Sequence, residues 1–502
     1  MTTIRFTTAD LDLFQAASHD RNPLHTSQEY ARRTAYGDRV VYGVLNAAMA
    51  LGRGAVLDRP GWVISSIECD FFDVASLGVD YSVSVNERAP SEVTLRVSDG
   101  RRPVLETILT FRPGVRRNLR QSRDNLSLRS NPQDFQIADF TVGQRISGKY
   151  GVCQDQVEAL CACAGLNASW TTAPELSALL WASYLIGMEL PGKRALFSRL
   201  LIEFQPDIPV GAPFQYQAEI EGISEVGELS VSAELSSEDH IWAKARINAY
   251  VRQDVPAADT KTIENLVGRS ESLVGKTALV TGASRGLGAA IVRALTLHGC
   301  TVIMNFLNSD SDAQQVRDSL RQASGKVLFE KGDVADVPWC VDLQHRVATN
   351  LKRLDFLICN ASPPLLPLWL EPSAAMRVNE FLAKSIAMVA APTASLMPLV
   401  AEAKGWNILI SSTAVTQIHP CYPHYAAAKA AAEAITRAAV AEYRTVNGLI
   451  VRPARLLTDL TNTPLGRKGA LPSQAVAASL VHRLLKPPCP GRIEVLDQFS
   501  SP

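Results

Sequence analysis

A chain that repeats itself at a near-constant offset must fold, over that stretch, as copies of one supersecondary unit. Residues 71–78 read FFDVASLG and residues 204–211 read FQPDIPVG, an offset of 133. Residues 44–52 (VLNAAMALG) recur as residues 179–187 (LLWASYLIG), an offset of 135. Around each small-residue helix lie long runs of alternating polarity. These are WVISSIECDFF, YSVSVNE, EVTLRVSD and PVLETILTFRP in the first copy, then YQAEIEGI, ELSVSAEL and IWAKARINAYV in the second. Period-two alternation marks strands with one buried face. Each copy is therefore expected to be an α+β unit, one helix against a long antiparallel sheet.

From Lys276 the rhythm changes. Short apolar runs (KTALVT, CTVIMN, KVLFEK, LDFLICN, WNILISS, NGLIVRP, RIEVL) alternate with helical stretches. That alternation argues for an α/β, doubly wound, Rossmann-type domain with a parallel sheet covered on both faces. Between the first run and its helix, residues 281–288 read TGASRGLG. Glycines there let the chain turn tightly and the backbone approach a pyrophosphate, while the helix start offers unpaired N–H groups. The chain is therefore expected to be multidomain. Residues 1–128 and 129–255 form the two copies, 256–272 a linker and 273–502 the Rossmann-type domain.

Composition narrows the partners. Fifty basic residues balance fifty acidic ones, and 47% of the chain is hydrophobic. Such a chain is globular, and it lacks the overall basic charge expected of a nucleic-acid binder. The zero average hides residues 112–129, where Arg112, Arg116, Arg117, Arg120, Arg123 and Arg129 face one acid, Asp124. This segment suits either a solvated linker or a docking site for an acidic carrier. No signal peptide is apparent, and the most apolar stretch, residues 385–400, is broken by Pro392 and Pro398, so no membrane span is expected. Nine dispersed cysteines without metal-ligand spacing suggest reduced thiols, a cytoplasmic location and no metal site.

Downstream, Tyr425 and Lys429 stand one helical turn apart, and Ser412 lies 13 residues before the Tyr. With the glycine turn, these residues resemble the short-chain dehydrogenase/reductase family, in particular its 3-oxoacyl-carrier-protein reductases. The resemblance implies that Tyr425 is the general acid, that Lys429 holds the nicotinamide ribose and lowers the Tyr pKa, and that Ser412 bonds the substrate carbonyl. It also implies cofactor contacts from Gly282, Ser284, Arg285, Gly286, Leu287 and Gly288, from Asp333 and Val334, and from Asn360 and Thr458. Ser362 and Ala454 stand where the family has glycines, and either Lys384 or Asn379 takes the place of its helical Asn. The second strand ends Met304-Asn305-Phe306-Leu307-Asn308 without an acid, and Arg285 lies in the turn, so NADP(H) is the expected cofactor.

Near the N-terminus, residues 20–25 read DRNPLH, and Gly43 opens the first small-residue helix. An Asp and a His five residues apart on a Pro-bent loop can serve one proton transfer together. A helix-start N–H can polarise a thioester carbonyl. These residues resemble the MaoC-like (R)-specific hydratase/dehydratase family of the hot-dog fold. The resemblance implies Asp20 and His25 as the catalytic pair, Gly43 as the oxyanion contact, and Tyr42 where many relatives have His. At the 133 offset, Asp20 and His25 fall near Cys153 and Glu158, so the second copy is expected to be degenerate. Trp181, Tyr184 and Met188 are read either as acyl-tunnel lining or as ordinary core.

Together the two resemblances imply a reductase of 3-oxoacyl thioesters joined to a dehydratase of the 3-hydroxyacyl product. The substrate would be carried on acyl-carrier protein or coenzyme A, in fatty-acid or polyketide synthesis, and the reductase family implies a homo-oligomer. Two alternatives stay open. One is an enoyl-CoA hydratase with an NAD-dependent dehydrogenase running in the β-oxidation direction. The other is an acyl-binding scaffold with an inactive domain.

Overall fold

The computed structural model describes all residues except 1, 55–58, 116–117, 122–125, 207–209, 239, 257, 465, 488–489 and 500–502, and excludes the side chains of residues 120 and 121. Arg116, Arg117, Arg123 and the side chain of Arg120, from the basic segment, therefore lie outside the described residues. The chain divides into two compact units, Met1–Gln253 and Asp254–Pro502.

The first unit is built on one antiparallel sheet. Its strands are β1 (Thr2–Arg5), β2 (Trp62–Phe71), β3 (Asp80–Ala89), β4 (Glu92–Asp99) and β5 (Arg102–Pro113), then β6 (Arg145–Tyr150), β7 (Ala195–Phe204), β8 (Phe214–Ile223), β9 (Glu228–Ser237) and β10 (His240–Val251). Their order is β1-β3-β4-β5-β2-β7-β10-β9-β8-β6. From the centre outward, both halves run in the same topological order, so the repeat is a structural duplication. The copies join where β2 pairs with β7, with Ile67 opposite Ile202 and Cys69 opposite Leu200. Alternation sets the faces: every second residue of β9 is buried.

The longer helices of this unit are α1 (Thr8–Ser18), α2 (Gly43–Gly54), α3 (Gln154–Ala164) and α4 (Pro174–Tyr184), besides the one-turn helices Pro23–Thr26 and Gln28–Ala31. A π-helical stretch, Leu185–Glu189, prolongs α4. All of α4 is buried, as is Val44 to Leu51 in α2. Helices apolar on every side belong inside a core, and here one hydrophobic cluster runs through both copies.

The main sheet of the second unit has, among the described residues, seven parallel strands: β11 (Thr277–Val280), β12 (Thr301–Phe306), β13 (Lys326–Lys331), β14 (Phe356–Cys359), β15 (Trp406–Ile410), β16 (Asn447–Val451) and β17 (Ile493–Leu496). The order is β13-β12-β11-β14-β15-β16-β17. Along β11, Ala278 and Val280 face one core and Leu279 faces the other. The first core is closed by α5 (Thr260–Val267), α6 (Gly286–Leu297) and α11 (Ser473–Leu484), and α7 (Asp310–Asp318) adds Ala313 and Val316 to it. The second is closed by α8 (Val337–Asn350), α9 (Ala375–Glu402) and α10 (Pro423–Glu442). Strand order reverses between β11 and β14, the place where such sheets bind ligands.

Two expectations need correction. The stretch 256–272 is not a free linker: Asp259 caps α5 by accepting the Thr262 N–H at 2.7 Å, and Ile263 is buried in the first core of the second unit. Pro392 and Pro398 do not break the apolar stretch, because both lie inside α9. Among the described residues one helix, Pro372–Glu402, is long and apolar enough to cross a membrane, and half of its apolar window is buried inside the protein.

Candidate active sites

In the first unit, α1 ends at Ser18, and His19 adopts a left-handed backbone (φ 60°) that turns the chain into the Asp20 loop. Asp20 is buried. Its Oδ1 accepts the Asn22 N–H at 3.0 Å and its Oδ2 accepts the Ser183 hydroxyl at 2.7 Å. Burial pushes the Asp20 carboxyl up to about 7, against the pull of the hydrogen bonds from Asn22 and Ser183. Asn22 caps the one-turn helix Pro23–Thr26 by accepting the Leu24 N–H at 3.0 Å, and its amide donates to Gly192 O at 3.1 Å.

That one-turn helix carries His25, whose Nδ1 lies 2.8 Å from Val40 O. A carbonyl only accepts, so Nδ1 carries the proton and Nε2 is left as an acceptor. Burial pushes His25 down to about 4, which keeps the ring neutral at pH 7. Tyr42 joins the pair: its hydroxyl donates to Asp20 O at 2.9 Å, and its ring stacks on His25 with centroids 3.9 Å apart. Gly43 follows directly and starts α2, whose first-turn N–H groups have no intrahelical partners. A Cβ at Gly43 would press on the Phe71 ring at 2.8 Å. Tyr42, directly before Gly43 at the start of α2, thus touches both the Asp20 main chain and the His25 ring.

The second copy corrects the expected correspondence. Cys153 is the N-cap of α3, so the 133 offset does not hold there. Asn22 and Asn167 play the same part, each accepting an N–H two residues on to cap a short turn. On that match Gly165 stands for Asp20 and the buried Trp170 for His25. The glycine pair agrees: a Cβ at Gly187 would lie 2.2 Å from Asp20 Oδ1, and one at Gly52 would lie 2.1 Å from Ala164 O, beside Gly165. Neither an acid nor a base remains in the second copy at these positions. Trp181, Tyr184 and Met188 are buried, and Met188 Sδ accepts the Arg21 N–H at 3.0 Å. Among the basic residues, Arg112 donates to Phe204 O at 2.7 Å and Arg129 pairs with Glu189 at 3.3 Å.

In the second unit the glycine turn leaves β11 at Thr281. Thr281 Oγ1 accepts the N–H groups of Asn360 at 2.9 Å and Ala361 at 3.0 Å, and the Asn360 amide donates to Thr281 O and Gly282 O, both at 3.0 Å. Asn360 therefore ties the turn to the end of β14. Gly282 and Gly286 have positive φ (61° and 53°), and a Cβ at Gly288 would lie 2.4 Å from Gly282 O. Ser284 and Leu287 are buried beside the turn. The turn opens into the twelve-residue α6, so these residues fit a dinucleotide pyrophosphate. Asn305 braces the turn from β12, accepting the Gly282 N–H at 3.3 Å. Thr458 approaches Gly286, 3.4 Å from where its Cβ would be. Asp333 accepts the Ala335 N–H at 2.9 Å, and Val334 is buried.

Arg285 departs from expectation. Its guanidinium donates to Asp459 Oδ2 at 2.9 Å and lies 3.7 Å from Asp312 Oδ2, so two carboxylates already hold it.

Ser412, Tyr425 and Lys429 converge on the ends of β15 and α10. Ser412 Oγ accepts the Ala414 N–H at 3.2 Å. Lys429 Nζ donates to Ile410 O at 2.8 Å and lies 5.7 Å from the Tyr425 ring centroid. Burial raises the Tyr425 hydroxyl, opposed by a hydrogen bond with Ser412, and burial lowers Lys429 to about 8. The expected lowering of Tyr425 by Lys429 is not seen: burial raises the hydroxyl, and the opposing pull comes from Ser412. Glu433, unremarked in the sequence, anchors α10 by accepting from Ser411 at 2.7 Å and Arg452 at 2.8 Å. Lys384 and Asn379 are both exposed on α9.

Comparison with known proteins agrees with both halves. A MaoC like domain model matches residues 1–93 and a short chain dehydrogenase model matches residues 276–468. Elsinochrome reductase 1 of Elsinoe fawcettii is 37% identical over 89 residues, 18% of this chain and 33% of that protein. An uncharacterized oxidoreductase of Methylorubrum extorquens is 29% identical over 222 residues, 39% of this chain and 86% of that protein. The match thus spans only a third of the first relative's length. Among solved structures, a short chain dehydrogenase from Burkholderia cenocepacia in complex with NADP is 25% identical, with 45% of this chain and 98% of that chain covered at a TM-score of 0.41. The chain carries a MaoC-like hot-dog domain at its N-terminal end and a short-chain dehydrogenase/reductase domain at its C-terminal end.

Proposed function

We propose that this chain reduces a 3-oxoacyl thioester and then dehydrates the 3-hydroxyacyl product, with the acyl group carried on acyl-carrier protein or coenzyme A. The observation that carries the reading is the state of the first site. Asp20, near pH 7 between its two forms, and a neutral His25 both contact Tyr42, the residue before the start of α2. For dehydration, His25 Nε2 takes the Cα proton, Asp20 protonates the departing hydroxyl, and the Gly43 N–H holds the thioester oxygen. The two reactions are consecutive, and joining them on one chain raises the effective concentration of the intermediate.

In the second site Tyr425 donates its proton to the carbonyl oxygen as charge develops. Ser412 bonds the same oxygen, and Lys429 orients the ribose. When bound, the reduced nicotinamide supplies the hydride. The absence of an acid at the end of β12 favours NADPH. A second reading rests on the pairing of Arg285 with Asp459 and Asp312. If those carboxylates keep the guanidinium, a 2′-phosphate finds no partner there, and an NAD-dependent hydratase–dehydrogenase in the oxidative direction follows.

Incubating the chain with a 3-oxoacyl thioester and NADPH tests the first reading. NADPH is consumed and Tyr425→Phe abolishes this, whereas Asp20→Asn stops the product at the hydroxyacyl stage. Tighter binding of NADH than NADPH supports the second reading.

A further inference from the structure

We infer that Ser183, on the second hot-dog copy, is a positioning residue that holds the Asp20 carboxylate through its Oδ2. The inference rests on the reading of Asp20 as the catalytic carboxyl.

Four observations carry it. Ser183 and Asp20 are both buried, 2% and 3% exposed, and the 2.7 Å contact joins the two copies. A buried helical hydroxyl usually bonds the carbonyl one turn back, as Ser18 does to Phe14 O and Thr436 to Ala432 O. Ser183 instead spends its proton on Asp20. The matching position on α2, by the 135 offset, is the buried Ala48, and across the pseudo-dyad Gly165 replaces the Asp. A hydroxyl therefore occurs only on the helix that faces a carboxylate. Finally, the Asp20 loop is fastened to the second copy on several sides. Arg21 N–H donates to Met188 Sδ at 3.0 Å, the Asn22 amide to Gly192 O at 3.1 Å, and the Tyr150 hydroxyl to Ser18 O at 3.0 Å.

Tyr42 at the start of α2 and Tyr150 at the end of β6 both feel the Asp20 charge; Tyr42 also feels Asp12 and Arg39, and Tyr150 feels Tyr184. His19 and Arg21 flank Asp20 on its own loop, and His25 on the next turn feels Arg252. From α4 and its extension, Ser183, Gly187 and Met188 face the loop, all uncharged. Ser183 thus supplies the hydrogen bond from that side that favours the ionised form.

The test compares wild type, Ser183→Ala and Ser183→Thr in the full chain. Hydration of a 2-enoyl thioester reverses the dehydration: ionised Asp20 takes a proton from the attacking water while protonated His25 Nε2 gives its proton to Cα. In Ser183→Ala the Asp20 titration moves up by about one pH unit, so activity falls roughly fivefold at pH 7 and recovers in more basic buffer. Ser183→Thr, which keeps the hydroxyl, follows the wild-type titration. A loss of the same factor at every pH, or no loss, overturns the inference. Absence of hydration in the wild type fails the functional reading instead. The inference is then read from unfolding temperature, because the deficit of Ser183→Ala widens as pH rises through about 7 if Ser183 holds the charge. A deficit that does not change with pH overturns it.

Discussion

Gly187 of the second copy stands against Asp20 of the first so closely that a Cβ on it would lie 2.2 Å from Oδ1 and 2.4 Å from Oδ2. The carboxylate is therefore seated in a notch that a methyl group would fill. Gly187→Ala is expected to displace Asp20 and lower hydration at least about a hundredfold, since sub-ångström placement governs proton transfer. Overpacking costs about 1–3 kcal/mol besides. Gly52→Ala is the control: it meets Ala164 O at 2.1 Å, where Gly165 stands in place of the acid, and loses stability while each folded molecule keeps its activity. Steady-state hydration with unfolding curves separates the two.

Asp20→Asn is expected to trade activity for stability. The folded pKa of Asp20 is raised to about 7 from 3.8. Between these values the unfolded chain gives up its proton while the folded chain keeps it, so wild-type stability falls as pH rises from about 4 to about 7. The amide variant does not titrate and lacks that fall. The unfolding temperature of Asp20→Asn relative to wild type should climb across this window and then level off, while hydration disappears.

Much of this was legible in the residues themselves. The strand–helix alternation, the glycine turn and the Tyr425–Lys429 spacing are local patterns, and local patterns survive in a linear reading. The repeat was legible too, but its offset was not uniform. Insertions between the strands shift the α1–α3 match, so Cys153 and Glu158 were paired with the wrong partners and Trp170 was missed. Ser183 could not be singled out, because its role depends on two copies folding against each other. The one available signal was its Ala48 counterpart. The carboxylate partners of Arg285 are hidden from a linear reading for a similar reason: Asp459 lies 174 residues away. The helical stretch at Pro392 and Pro398 shows tertiary packing overriding a local breaker.

Asn360→Ala should uncouple the glycine turn from β14. The amide satisfies two carbonyls, at Thr281 and Gly282, and their loss costs about 1–3 kcal/mol in a partly buried place. Dinucleotide affinity should drop about tenfold or more, by fluorescence titration, with hydration at the first site unchanged.

Arg285 is expected to bear on the choice between cofactors. If a 2′-phosphate draws the guanidinium away from Asp312 and Asp459, Asp312→Asn frees it and raises the NADPH over NADH ratio of kcat/KM. Arg285→Ala lowers the same ratio about tenfold or more. Ratios that stay fixed in both variants rule out a phosphate contact at Arg285.

The most direct measurement follows the product of one 3-oxoacyl thioester, on each carrier, incubated with NADPH and the full chain. The account predicts NADPH oxidation and a mixture of 3-hydroxyacyl and 2-enoyl thioesters, with Tyr425→Phe yielding neither and Asp20→Asn yielding only the hydroxyacyl form. Enoyl product that persists in Asp20→Asn, or no NADPH oxidation on either carrier, would contradict it.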